Sequence, residues 1–210
     1  KDIQQVITMK DVVEIVEKTF KGMGEDTVVN PTKVGLDLGE TAPYPPYKGF
    51  MNAMPAYVGW LDTAGIKWAG GFLDNYKIGL PYITSLILGA QTAVALKYLH
   101  KGKSIRIGLY GAGAQGRTQT MAISQIFDIE ELKVYDIKPE AAEKFAQEMK
   151  EVVKGRIVIV KTPREAAEGD AVICVTQSKD KFVKNSWIKP GMALFPMGSY
   201  QECEEEYIIN

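Results

Sequence analysis

A chain of 210 residues, 46% hydrophobic, with 25 Lys and Arg against 26 Asp and Glu, has the length and composition of one large or two small globular domains. Its near-neutral balance lacks the basic footprint of a nucleic-acid or acidic-membrane partner, and neither is expected. Two cysteines, Cys174 and Cys203, and a single histidine, His100, exclude a disulfide framework, a histidine-rich metal site and a triad needing a second histidine, so no metal is expected and a cytosolic protein is the simplest reading.

In chain order, Lys10 to Phe20 places Val12, Val13, Val16 and Phe20 on one helical face with Glu14, Glu17 and Lys18 largely opposite, and Gly22 and Gly24 end it. Thr32 to Leu38 alternates as a strand, while Gly39 to Gly49, with Pro43, Pro45 and Pro46, reads as a loop. Phe50 to Val58, Ala64 to Phe72 and Tyr82 to Leu88 read as three more strands. Four strands with no intervening helix predict a largely antiparallel sheet, separate from the C-terminal half of the chain. The longest uncharged run, Leu80 to Leu96, is interrupted by Pro81, Thr84, Ser85, Gly89, Gln91 and Thr92, which suits a strand and the start of a buried helix rather than a membrane span. No basic segment followed by an apolar one opens the sequence.

Ala90 to His100 predicts a helix connecting two lobes, residues 1–100 and 101–210. From Ser104 the pattern alternates: a strand to Tyr110, a glycine turn, helix Thr118 to Phe127, strand Leu132 to Tyr135, helix Pro139 to Val152 and strand Ile157 to Val160. Thr162-Pro163-Arg-Glu165 is a capping box with proline at the first helical position, and strands Ala171 to Val175 and Ala193 to Phe195 come after it. Alternation of this kind predicts a doubly wound parallel sheet.

The turn reads Gly111-Ala-Gly113-Ala-Gln-Gly116, and Asp136 ends the next strand 20 residues beyond the last glycine. That is the order of a dinucleotide site: Gly111 for the sharp turn, Gly113 for backbone approach to a pyrophosphate, Gly116 for close packing of helix on strand, and the helix N-terminus for the phosphates. Asp136 can accept both ribose hydroxyls and would repel a 2′-phosphate, which favours NAD(H) over its phosphorylated form; Lys138 nearby softens that preference. In such a sheet the loops at the strand C-terminal ends line the crevice, which brings Thr176, Gln177 and Met197 toward the nicotinamide. Ser199 and Glu202 form a second possible capping box, with Ser199 either only capping a helix or also touching substrate, and Glu204 to Glu206 read as its solvated first turn.

Lys67 is the only charge between Thr63 and Leu73, in an apolar, glycine-lined strand, so its ammonium must find an anion or reach water along the surface. At this point the sequence resembles the ornithine cyclodeaminase/mu-crystallin family. The resemblance rests on Met9-Lys-Asp-Val-Val-Glu, Met54-Pro-Ala-Tyr, Ile66-Lys67-Trp, Asp74-Asn-Tyr-Lys-Ile-Gly-Leu-Pro81, Gly111-Ala-Gly-Ala-Gln115-Gly-Arg and Pro190-Gly-Met, across nearly the whole chain. It implies a Rossmann-type α/β domain with an N-terminal α+β lobe for substrate and dimerisation, and NAD as cofactor. It further implies Lys67 as the catalytic residue, with Lys33, Asn52 and Met54 beside it on the substrate. The implied cofactor set is Gly111, Gly113, Ala114, Gln115, Gly116, Asp136, Ile137, Thr176, Gln177 and Met197.

The chemistry implied is oxidation of the Cα–N bond of a small amino acid, or reduction of the corresponding imine. Cyclodeamination and nucleotide binding without turnover are the alternatives. Against cyclodeamination, Ser199 or Tyr200 stands where the family has an aspartate, and Asn52 where it has a glutamate. The resemblance also implies a hairpin carrying a carboxylate-gripping arginine ahead of Gly89-Ala90, and a segment beyond Asn210, so the native protein is expected to be longer than these residues.

Overall fold

The computed structural model describes residues 6–38, 49–72, 86–198 and 201–206. The expected loop over 39–48, the motif Asp74 to Pro81, residues 82–85 of the fourth expected strand, and Ser199 and Tyr200 lie outside the described residues. The chain groups into two compact units, Ile15–Thr84 in one and Lys1–Glu14 with Ser85–Asn210 in the other.

Helix α1 (Met9–Gly24) opens with a reciprocal cap: the Thr8 amide donates to Asp11 Oδ2 at 2.7 Å and the Asp11 amide to Thr8 Oγ1 at 3.2 Å. The first unit then forms four antiparallel strands, β1 (Val28–Val29), β2 (Val34–Asp37), β3 (Gly49–Val58) and β4 (Thr63–Phe72). β3 is central: β1 and β2 share one of its edges, and β4 pairs along its whole length on the other. One expectation is corrected here. The fourth strand of the sheet is the short β1, whereas Leu86 to Leu88 begin helix α2 (Leu86–Leu99). A continuous apolar run of this length fits a buried helix as well as a strand, and periodicity cannot separate them.

α2 belongs to the second unit, where it lies against α3 (Ala114–Ile123); a Cβ on Gly89 would meet the Thr118 carbonyl at 2.4 Å. The parallel sheet of this unit runs in the order β7 (Arg156–Ile159), β6 (Asp128–Tyr135), β5 (Ser104–Tyr110), β8 (Ala171–Cys174), β9 (Ala193–Pro196). Two strands on each side of β5 make this the doubly wound arrangement expected, with its switch point between β5 and β8. α3 starts four residues earlier than its apolar pattern indicates, because the glycine turn itself supplies the first turn of helix. α4 (Pro139–Met149) and α5 (Pro163–Ala166) complete the layers, and Glu165 Oε2 accepts the Lys161 amide at 2.9 Å ahead of α5.

Ile105, Ile107, Leu109 and Tyr110 of β5 are all at most 1% exposed, as a strand covered on both faces requires. Burial on this scale is worth roughly 1.5–3 kcal/mol per large side chain. The Tyr110 hydroxyl donates to the Pro163 carbonyl at 2.6 Å, so the one polar atom at this core position ties β5 to α5. His100 is structural too: its Nε2 lies 2.8 Å from the Ser104 carbonyl and its ring stands edge-on to Phe127.

Candidate functional site

In the second unit the C-terminal ends of β5 and β8 lie side by side, where Tyr110 pairs with Cys174. Gly111 leaves β5 at φ +101°, a left-handed conformation that favours glycine, and its amide donates to the Tyr135 carbonyl at 2.9 Å. A Cβ on Gly116 would sit 2.3 Å from the Gly111 carbonyl, so this glycine lets α3 approach the turn. Gly113 is different. It is exposed, and a Cβ there would meet nothing within 4 Å. No atom of the described residues fills that space. Among the described residues no side chain caps α3, whose N-cap is Gly113. Gln115 Oε1 in the same turn is buried with no hydrogen-bond partner, and Gln119 one turn on is wholly buried with both amide atoms unpaired.

Asp136 sits across from the turn. Its Oδ2 accepts the Ala112 amide at 2.8 Å and its Oδ1 the Lys138 amide at 2.9 Å. A carboxylate offers about four acceptor positions. Two remain open. Ile137 beside it is 83% exposed, an apolar side chain without packing of its own.

Arg117 carries no signal in the sequence beyond its place in the turn motif. Its Nη1 donates to the Ala112 carbonyl at 2.5 Å and the Gly113 carbonyl at 3.0 Å, and its Nε donates to Glu148 on α4 at 2.5 Å. Ala112 is thus held on both sides, amide by Asp136 and carbonyl by Arg117. A planar guanidinium with several fixed donors can do this where a lysine cannot.

On the β8 side, the Val175 amide donates to the Tyr110 carbonyl at 2.9 Å and the Met197 amide to the Cys174 carbonyl at 2.8 Å. Thr176 and Met197 therefore leave adjacent strand ends, as expected, and Gln177 is exposed. Ser199 of the expected Ser199–Glu202 capping box lies outside the described residues, and Glu202 is not in the first turn of a helix. Glu202 is 0% exposed and its carboxylate accepts the Thr176 amide at 2.7 Å, the Thr176 hydroxyl at 2.5 Å and the Gly198 amide at 3.0 Å. A buried amide left without a partner costs about 1–3 kcal/mol, which this carboxylate removes twice. Burial pushes its pKa above the usual carboxylate range, and the Thr176 and Gly198 donors, pulling the other way, do not cancel that. Nor is Glu204 to Glu206 a free first turn: Glu204 pairs with Lys184 at 2.9 Å and Glu205 with Lys181 at 2.6 Å. A run of acids hides the one member that is buried, so the sequence carried little signal for Glu202.

The other candidate residues lie in the first unit. Lys67 of β4 is paired with Met54 of β3, and Asn52 with Ala69 and Gly35. Directly opposed residues share a face, and so do residues two apart, so Asn52, Met54 and Lys67 lie on one face of the sheet. Lys33 precedes β2. The β2–β3 register, extended by one residue from the Val34–Ala53 pair, sets it beside Met54 on the side opposite Lys67. Two strand spacings place these lysine backbones about 10 Å apart in one row. Both side chains are exposed.

The opposite face is apolar. Val29, Val34, Leu36, Met51, Tyr57 and Ile66 all lie on it by register, each at least 41% exposed. An open cleft of about 370 Å³ on this side is lined by Val29, Pro55, Tyr57 and Ile66 among others. It is distinct from the lysine row.

A family model described as the ornithine cyclodeaminase/mu-crystallin family matches residues 81–207. The chain is 28% identical to an alanine dehydrogenase of Archaeoglobus fulgidus over an alignment of 221 positions that takes in 94% of the chain and 65% of that relative. The chain thus spans about two thirds of the length of the curated relatives it matches. That alignment is longer than the chain's 210 residues, so the relative has residues inside the matched region with no counterpart here. Among solved structures, the Δ1-pyrroline-2-carboxylate reductase of Thermococcus litoralis in complex with NADH and L-proline superposes with a TM-score of 0.84 at 29% identity, over 94% of this chain and 67% of that one. An archaeal alanine dehydrogenase dimer with bound NAD gives 0.78 at 26% identity, over 91% and 63%.

Proposed function

The chain belongs to the ornithine cyclodeaminase/mu-crystallin family, and from that premise we propose that it acts as an NAD(H)-dependent oxidoreductase on the Cα–N bond of a small α-amino or imino acid. The observation that carries the reading is the glycine turn at the switch point, with empty space over Gly113, uncapped amides of α3 and two spare acceptor positions on Asp136. These residues fit a dinucleotide: Gly111 to Gly116 hold the pyrophosphate, Asp136 the adenosine ribose, Ile137 the adenine face, and Thr176, Gln177 and Met197 the nicotinamide end. Relatives solved with NADH or NAD support the same cofactor.

In the first unit, Lys67 and Lys33 supply two positive charges on one sheet face, with Met54 between them and Asn52 alongside. That row suits a carboxylate, which two ammonium groups can hold while the apolar Met54 bounds a small side chain. When bound, the cofactor accepts or returns the substrate's α-hydrogen as hydride. In the oxidative direction the substrate nitrogen gives up a proton, and the imine left behind takes up water and releases ammonia to give a 2-oxo acid. The work of the protein is to fix the carboxylate and exclude competing water.

The exposed apolar face supports a homodimer formed through the first unit's sheet, since six large apolar residues on one face form a patch that folded monomers rarely leave open. Two free, buried cysteines, Sγ to Sγ 4.0 Å, accord with a reducing, cytosolic setting.

The test is to incubate the protein with NAD and the L-amino acid series, and with NADH and Δ1-pyrroline-2-carboxylate, following NADH and ammonia. Formation of NADH with ammonia, or consumption of NADH by the imine, supports the reading. Ammonia with a cyclic product and no net NADH would indicate cyclodeamination. NADH binding without any turnover would leave a binding protein.

A further inference from the structure

Among the described residues Glu202 is the one charged side chain that is buried, and it belongs neither to a strand nor to a helix. Its backbone carbonyl accepts the amides of Phe182 and Val183, both at 3.0 Å, and the Glu204 amide returns to the Val183 carbonyl at 3.1 Å. The ion pairs of Glu204 and Glu205 with Lys184 and Lys181 pin the same two segments together. Glu202 is therefore held firmly from behind.

Its carboxylate faces the ends of two strands. The last ladder bond between β8 and β9 is that from the Met197 amide to the Cys174 carbonyl. Just beyond it, two residues after Cys174 and one after Met197, the Thr176 and Gly198 amides both donate to Glu202, one to each oxygen. Thr176 Oγ1 also donates to Oε1 and accepts the Ser178 amide at 3.1 Å, which sets the turn of the loop carrying Gln177. All three partners of the carboxylate are donors, so the ionised form is the one that satisfies them all. Gly198 leaves room for it, since a Cβ there would lie 2.5 Å from Oε2.

We propose that Glu202 is a positioning residue for the nicotinamide end of the crevice, clamping the loops after β8 and β9 so that Thr176, Gln177 and Met197 hold the ring in line for hydride transfer. The proposal rests on the dinucleotide reading above. It separates two tasks within one site: the glycine turn and Asp136 retain the cofactor, and Glu202 aligns its reactive end. A misplacement of about 1 Å at a reacting centre can cost on the order of a hundredfold in rate with little change in binding.

The test uses the full chain and its Glu202→Gln variant. The amide of glutamine presents a donor to one of the two backbone donors, so one side of the clamp opens at nearly constant volume. Deuterium uptake without cofactor is expected to quicken at least tenfold in peptides covering 175–178 and 197–202, and to stay unchanged in 104–110. Turnover with NADH is expected to fall about a hundredfold while the dissociation constant for NADH rises no more than about threefold. Unchanged uptake in both loops, or unchanged turnover in a wild-type-like fold, overturns the proposal. A parallel rise in NADH dissociation constant and fall in melting temperature also overturns it, because that is the mark of a purely structural residue. A wild-type chain that does not bind NADH refutes the dinucleotide reading instead, and the clamp loses its purpose with it.

Discussion

Asp136 at the end of β6 accepts the Ala112 amide at 2.8 Å, so the carboxylate expected to meet the ribose also shapes the turn expected to meet the phosphates. The carboxylate and the turn are mechanically coupled. Asp136→Ala should therefore weaken NADH about 10- to 100-fold, more than loss of ribose bonds alone implies, since each 1.4 kcal/mol is a factor of ten. Fluorescence titration with NADH and NADPH measures it; an unchanged preference for NADH over NADPH in the variant would contradict the role given to the carboxylate.

Gly113 and Gly116 should respond differently to alanine. A methyl at Gly113 meets no protein atom, whereas at Gly116 it meets the Gly111 carbonyl at 2.3 Å. Gly113→Ala is expected to leave the melting temperature within about 1 °C and weaken NADH at least tenfold, and Gly116→Ala to lower both. Thermal melts with and without NADH separate the two. Unimpaired binding by a stable Gly113→Ala protein would mean the open space over the turn is not used by the cofactor.

Lys67→Met keeps the bulk of the side chain and removes its charge. On the reading of the lysine row, turnover on amino or imino acid should fall by at least two orders of magnitude while NADH affinity stays within about twofold, because one side of the carboxylate loses its partner. Steady-state kinetics alongside NADH titration check it. Wild-type turnover in the variant would leave Lys67 a solvent-reaching surface residue.

Asp170 supplies a pH-dependent contribution to stability. Burial alone would raise its pKa, but hydrogen bonds from the Arg106 amide at 2.8 Å and guanidinium at 3.1 Å outweigh that and hold it below the usual range. A carboxyl with a depressed folded-state pKa contributes stability above its unfolded-state value of about 4, and the contribution is lost as pH falls through the folded value. Asp170→Asn should lower the melting temperature by about 2–4 °C at neutral pH. The gap to wild type should close in acid, as melts across a pH series would reveal.

Ile66 is 60% exposed on the apolar sheet face. If that face joins two copies, Ile66→Asp buries a charge at the interface and should shift the protein to monomer at micromolar concentration. Sedimentation velocity distinguishes the two states, and a wild-type protein that is monomeric throughout removes the dimer.

By itself the sequence determined the doubly wound sheet, the glycine turn and Asp136, because strand and helix periods differ and a dinucleotide turn needs its glycines at set intervals. It also carried the family resemblance that the model over residues 81–207 bears out. It misassigned Leu86 to Leu88, since a short apolar run satisfies a buried helix and a strand equally, and only the folded chain decides between them. β1 escaped notice because two residues have no period; β3 makes them a strand. Arg117 and Glu202 stand on the same ground. Each acts through hydrogen bonds to backbone groups that converge only when strands and helices are assembled, Arg117 on the turn carbonyls and Glu202 on the Thr176 and Gly198 amides 26 and 4 residues away. Apart from proline, which lacks the N–H, backbone donors and acceptors are the same at every position in a sequence, so which of them a side chain meets is decided by tertiary structure.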